Sequence, residues 1–164
     1  MKPSDHPDFF RFPPPEGRSR ESRIVLTREG RFFHEGAAVE HPGMRRAFAA
    51  WLTRHPDDGR PILSNGYDWT YLTVEGAMHF VQAVQGRAGR PELLLLDGRE
   101  LLLEPAALTC DTEGKLWVRL PDGDAACFTQ AAQLELSPWL TERAGEVGVE
   151  IEGQFSPIAG ASPP

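Results

Sequence analysis

Between Arg23 and Leu52 the hydrophobic period changes from two residues to that of a helix with no break between, so strand and helix must share one unit. Ile24 and Leu26 alternate with Val25 and Thr27, Glu29-Gly30 supplies a turn that tolerates positive φ, and Phe32-Phe33-His34 resumes the extended pattern. Gly36 closes that strand. Pro42 then stands where a first helical residue belongs, since its fixed φ suits the helix and its missing N–H costs nothing there. Met44, Ala47, Phe48, Trp51 and Leu52 form the expected apolar stripe, with Arg45, Arg46, Thr53 and Arg54 opposite.

The rest of the chain is short extended runs punctuated by turns. Residues 1–22 read as a flexible Pro/Phe-rich arm whose Phe9, Phe10 and Phe12 need a surface to cover them, on this chain or on a partner. After the breaker-dense His55 to Arg60, Asn65-Gly66 signals a hairpin, and Tyr67 to Glu75 alternates so that Trp69, Tyr71 and Thr73 share a face. Met78 to Val84 reads as a strand. Arg87 to Pro91 is the expected joint between halves, 23–88 and 89–158. Beyond it, Asp97-Gly98, Glu113-Gly114 and Asp122-Gly123 separate Leu-rich runs. A helix capped by Ser137, started by Pro138 and ending near Gly145 precedes a last strand over Val147 to Ile151, and 159–164 is a small-residue tail. The hairpin-then-helix order of Ile24 to Leu52 returns loosely in Leu116 to Leu140. The expected fold is therefore α+β, two related halves of antiparallel strands with one helix each and a cleft between them.

Composition narrows the class. The net charge of −7 argues against general nucleic-acid binding, which needs a cationic surface to displace counterions. The charge is uneven: 11 basic and 9 acidic side chains in residues 1–60, 6 and 15 in residues 61–164. No apolar run approaches the roughly 20 residues of a membrane helix, and no signal-like segment opens the chain, so a cytoplasmic protein is expected. Cys110 and Cys127 lie in apolar settings without a Cys-x-x-Cys pair, which predicts free structural thiols and no zinc site.

Arg23-Ile-Val-Leu-Thr-Arg-Glu-Gly-Arg-Phe-Phe-His-Glu-Gly36, followed by Arg46 and Phe48, resembles the opening signature of a bacterial family, domain of unknown function family 1285. Leu72-Thr-Val-Glu-Gly-Ala77 with Phe80, Ala83 and Val84 is similar to its second block. Val147-Gly-Val149 with Gly153, Phe155 and Pro157 is similar to its closing block. The sequence departs from the family at Ser64 to Asp68 and at His79. The resemblance implies a two-part α+β fold of repeated strand-helix motifs, with a cleft that binds a small ligand in a signalling role.

The residues themselves offer no catalytic constellation. Neither Gly-x-Ser-x-Gly, nor a Walker loop, nor a dinucleotide fingerprint occurs. His34 and Glu35, adjacent on a strand, point to opposite faces and do not converge on one atom. Asn65, Tyr67, Trp69 and Tyr71 are amphipathic types that line either a pocket or a core face. Arg45 and Arg46 either hold an anion or form a solvated face. The candidate ligand-binding set is Phe33, His34, Glu35, Arg45, Arg46, Asn65, Tyr67, Trp69 and Tyr71, with no catalytic residue, metal or cofactor expected. The expected function is non-catalytic binding of a small molecule, an anionic ligand included, in signalling or regulation. The alternative is an adaptor that docks protein partners through the arm and the acidic second half. Unpaired strand edges leave homo-oligomerisation open.

Overall fold

A computed structural model of the chain describes residues 1–160. They divide into two compact units, Met1–Met78 and a second that begins at His79. Each contains one α-helix among the described residues, in keeping with the α+β expectation.

In the first unit, β1 (Ile24–Leu26) and β2 (Phe32–His34) pair antiparallel, and β3 (Ala37–Ala38) continues from β2 through a turn at Glu35-Gly36. Both turn residues have positive φ, 51° at Glu35 and 81° at Gly36, the pairing a tight hairpin requires. The helix α1 (Pro42–Trp51) is capped by His41, whose Nδ1 accepts from the amides of Gly43 and Met44 at 3.1 and 3.3 Å. Its packed face runs through Arg45, Phe48, Ala49 and Leu52. Met44, expected inside, is exposed, and Arg45, expected outside, is half buried. Position 45 lies three and four residues before Phe48 and Ala49, and a long arginine stem can cover apolar surface while its head reaches out.

The chain leaves α1 directly into β4 (Leu52–Arg54), which pairs with β5 (Pro61–Ser64), which pairs with β6 (Trp69–Tyr71). The single strand expected over Tyr67 to Glu75 is two. Past Leu72 the chain changes sheets, and β7 (Thr73–Val74) runs parallel to β1. Leu72 is buried at this switch and its amide donates to the Pro61 carbonyl.

In the second unit β8 (His79–Arg87) and β9 (Arg90–Leu95) form a hairpin whose turn is Ala88-Gly89. The expected joint at Arg87 to Pro91 is thus a hairpin end, and the division falls before His79 instead. Following are β10 (Glu100–Leu102), β11 (Leu108–Cys110), β12 (Leu116–Arg119) and β13 (Ala125–Phe128). After these come α2 (Gln130–Leu136), β14 (Leu140–Arg143), β15 (Glu146–Ile151), β16 (Gln154–Pro157) and β17 (Ala159–Gly160). The large sheet has the order β10-β9-β8-β13-β12-β11-β17, and a smaller one the order β14-β15-β16. Val81, Leu93, Leu95, Leu103, Leu108, Val118, Ala126, Ala132, Leu136 and Val149 are almost fully buried in one core.

The second helix lies earlier than expected. Thr129 accepts from the Ala132 amide through its hydroxyl and starts α2 over Gln-Ala-Ala-Gln-Leu-Glu-Leu, a run of good helix formers. Ser137–Trp139 is only a 3-10 turn, and Leu140 to Arg143, expected as helix, pairs with β15 through a turn at Ala144-Gly145. Of the expected tail, Ala159–Gly160 is strand β17, paired parallel with β11, and 161–164 lie outside the described residues.

Candidate functional site

The expected site residues fall into separate contacts of the first unit. Phe33 lies on β2 under the Arg31 guanidinium, 5.1 Å from its ring centre, while His34 is exposed and Glu35 is a turn residue. Arg46 is exposed. The Arg45 Nε is buried without a partner. Asn65 spends its side chain locally, its Oδ1 accepting from the amides of Tyr67 and Asp68 at 2.8 and 2.9 Å, and Tyr67 projects from that turn, 65% exposed.

Trp69 and Tyr71 are brought together, as their two-residue spacing on β6 dictates. Their partner is His55, from the breaker-dense loop after β4. Its ring lies 5.0 Å from Trp69 and 5.8 Å from Tyr71, and is buried. Its Nδ1 accepts from the Asp57 amide, so the proton sits on Nε2, which donates to the Phe10 carbonyl at 3.1 Å. Arg20 stacks 4.4 Å over Trp69 and also donates to the carbonyls of Trp69, Phe12 and Pro13, and Arg60 stacks 3.7 Å over Tyr71. The Tyr71 hydroxyl donates to Asp58 at 2.7 Å, which holds that carboxyl below its usual range and pushes the phenol up.

This cluster is where the arm ends up. Phe9 is 5% exposed, packed on Ile62 and Trp69, and Arg11 forks onto Asp57 at 2.9 and 3.1 Å. The aromatic stripe is a core face closed by the arm, in which the Trp69 Nε1 and the Arg20 Nε are buried without a hydrogen-bond partner.

An open cavity lies elsewhere, wholly within the second unit. It encloses about 360 Å³ and is lined by Cys110, Gly114, Leu116, Gln133, Leu140, Glu146, Val147, Pro157 and Ile158. These positions are supplied by the β11–β12 hairpin, α2 and the β14–β16 sheet. Asp111 shapes the hairpin lip: Oδ1 accepts from the amides of Glu113 and Lys115, and Oδ2 from the Trp117 indole at 3.0 Å. The indole contact foremost, against desolvation, depresses the Asp111 carboxyl below its usual range. Gln133 crosses from α2 to the same hairpin, accepting from the Leu116 amide at 3.1 Å and donating to the Gly114 carbonyl at 2.9 Å.

The lining is mainly apolar. The Cys110 thiol is pushed up by burial and by neighbouring Asp111, which keeps it protonated and a poor nucleophile. Cys127 is buried, and desolvation raises it to about 11. Both are free thiols, as expected. Nothing in the residue types of Gln133, Leu140, Glu146 and Ile158 announced that they meet. Only the Asp111-Thr-Glu-Gly turn and the Thr129 cap were local signals for the elements that bring them together.

No family model matches the chain, and no curated protein does. Solved structures do. A DUF1285 family protein from Silicibacter pomeroyi DSS-3 matches with a TM-score of 0.58 at 18% identity, over 85% of this chain and 81% of that one. The chain has the DUF1285 fold. A second DUF1285 family protein, from Shewanella baltica OS155, matches with a TM-score of 0.49 at 15% identity, over 73% of this chain and 94% of that one. The resemblance read from Arg23 to Gly36 and its two later blocks therefore holds at the level of the fold. Among the described residues of this DUF1285-like chain, no helix is long and apolar enough to cross a membrane.

Proposed function

We propose that this is a non-catalytic protein that binds a small, largely apolar molecule in the cavity of the second unit, and that occupancy of the cavity serves as a regulatory signal. The observation that supports this reading is the cavity itself. A volume of about 360 Å³ lies in the range of ligand pockets, and mostly apolar walls with few polar groups are their usual composition. At roughly 30 Å³ per water-sized group it holds about a dozen non-hydrogen atoms. The lining supplies no histidine, lysine or arginine, and its thiol is held protonated, so the wall carries no nucleophile and base poised together. The absence of a lining cation also turns the reading away from the anionic ligand that Arg45 and Arg46 suggested.

The arm is less suited to adaptor work than its composition implies, because Phe9 and Arg11 are engaged with the first unit. Native mass spectrometry of the purified chain, before and after denaturation, reports any retained molecule. Titration with n-octanol, followed by amide NMR, tests the cavity directly. Shifts centred on Gly114, Val147 and the Gln133 side-chain amide, abolished by Val147→Trp, are expected. Saturable binding that Val147→Trp leaves unchanged would refute the assignment.

A further inference from the structure

We propose that the Pro/Phe-rich arm is an exchangeable element: two copies of this chain dimerise when each lays its arm in the other's groove on the β4–β5–β6 sheet. The inference concerns the first unit alone and does not depend on the cavity.

The arm is held as a bound peptide is held. Near its start the Ser4 amide donates to the Gly66 carbonyl at 3.0 Å. Phe9 fills an apolar seat made by Ile62 and Trp69, the His55 Nε2–H holds the Phe10 carbonyl, and Arg11 forks onto Asp57. One ring, one carbonyl and one guanidinium, each with its own receptor group, specify a Phe-Phe-Arg segment. Every copy of the chain carries such a segment in its own arm.

The linker behind the arm is built differently. The chain is anchored again at Arg20, whose carbonyl accepts from the Tyr71 amide at 2.7 Å and the Thr70 hydroxyl at 2.8 Å. Between the anchors, residues 13–19 are Pro-Pro-Pro-Glu-Gly-Arg-Ser, exposed apart from a half-buried Pro14. Among the described residues their hydrogen bonds stay local: Arg18 to Pro15, Glu21 to Ser19, and the Arg20 guanidinium to the Pro13 carbonyl. Arg20 also donates to the Phe12 carbonyl, so both ends of the linker lie within reach of one arginine side chain. Seven residues extended at about 3.1 Å each span roughly 20 Å. The linker is thus far longer than docking on its own sheet uses, and when extended it carries the arm to a neighbouring copy.

Exchange sacrifices no groove contact, because the same groups meet in either form; the balance is between the arm's own tether and the concentration of second copies. The closed form leaves the Trp69 Nε1 and Arg20 Nε buried without partners, and the Arg11–Asp57 fork is half exposed, so opening does not break a fully satisfied buried network.

Opposite charge reversals separate exchange from docking within one chain. Arg11→Glu alone and Asp57→Arg alone each set like charges together in both the closed and the exchanged form. An equal mixture of the two full-length variants restores an opposite pair at both grooves, and only by exchange. Light scattering should show each variant alone as a monomer and the mixture as a dimer, with a dissociation constant roughly tenfold to thirtyfold below that of the unaltered chain, the worth of two exposed ion pairs over two like-charge pairs. Phe9→Ser carried in both variants should abolish that dimer. A mixture that stays monomeric overturns the inference, and so does a mixed dimer that survives Phe9→Ser, since it would be assembled through another face. Where either variant fails to fold, the unaltered chain decides: isotope-labelled and unlabelled protein, mixed and equilibrated at about 1 mM, the scale of a short tether's effective concentration, should give an intermolecular NOE between the Phe9 ring and the Ile62 methyls, and its absence overturns the inference. If a synthetic peptide of residues 3–13 displaces the arm while chains never exchange, the groove serves a foreign segment and the exchange reading falls.

Discussion

Gly148 is the position at which the small sheet of the second unit can be tested most sharply. It lies on β15 opposite Pro157 of β16, and the Phe155 ring lies across it. A Cβ built there meets the Ser156 carbonyl oxygen at 2.4 Å and two Phe155 ring carbons at 2.5 Å. The oxygen belongs to the neighbouring strand's backbone, so it cannot swing aside as a flexible side chain can. Relief requires β16 to move outward by about 1 Å, which exceeds the slack of strands paired at about 4.8 Å. Overpacking of this kind costs about 1–3 kcal/mol. A backbone obstacle places Gly148→Ala near the upper end, while the smaller entropy loss of alanine returns about 0.5–1 kcal/mol. The net expectation is a loss of about 2 kcal/mol, measured by urea unfolding with Trp117 and Trp139 as reporters of the second unit. Gly86→Ala is the control. There the new Cβ would meet the Trp139 ring at 3.6 Å, ordinary contact, and the change should lie within about 0.5 kcal/mol of neutral. Because Glu146, Val147 and Pro157 line the cavity, Gly148→Ala should also weaken octanol binding. An unfolding midpoint for Gly148→Ala equal to or above that of the unaltered chain would show that β16 does not lie where the packing argument puts it.

Arg20→Lys should destabilise the first unit by about 1.5–3 kcal/mol, because a lysine can neither stack flat on Trp69 nor fork to the Phe12 and Pro13 carbonyls; faster proteolytic release of residues 1–12 is the readout. The Asp111 carboxyl, depressed in the folded chain, contributes stability that is fully present above the ordinary carboxyl value near 3.9 and is lost as pH falls through its lower folded value. The Trp117 indole N–H resonance should therefore move only as pH drops below about 4, and Asp111→Asn should flatten that slope; an unchanged slope would mean other carboxylates carry it. Iodoacetamide at pH 8 should modify Cys110 slowly and Cys127 not at all until the chain unfolds, since burial raises both thiols. Saturating octanol should slow the Cys110 reaction further; equal rates with and without octanol would count against the cavity as its site.

Local chemistry made much of the fold legible. Glu29-Gly30, Asp97-Gly98, Glu113-Gly114 and Asp122-Gly123 each mark a turn, and each glycine adopts the positive φ that such turns demand. Pro42 starts α1 as a first helical residue should. The failures came where tertiary context overrides local preference. Ser137-Pro138 is a good helix start by composition, yet the segment after it pairs with β15, and the better helix former one step earlier took the role. Trp69 and Tyr71 were visible as a shared face, but nothing in the spacing said that His55 and Phe10 would complete it from 14 and 59 residues away from Trp69. The cavity was the least legible feature. It exists because three elements stop short of one another, and empty space leaves no periodic trace.

The order β10-β9-β8-β13-β12-β11 divides the large sheet into two meanders of adjacent hairpins, joined at one seam where β8 and β13 run parallel. Each meander closes through short turns and can form quickly, but the seam must bring together Phe80 and Cys127 across the whole of the intervening chain. Thr129 ties helix nucleation to that same event, since its amide donates to Val81 of β8 while its hydroxyl caps α2. Formation of the seam is therefore the step expected to be late and rate-setting in the second unit's folding. Until it closes, two leucine-rich meanders stand with unpaired edges, and those edges are where a newly made chain is most open to mispairing with a second copy.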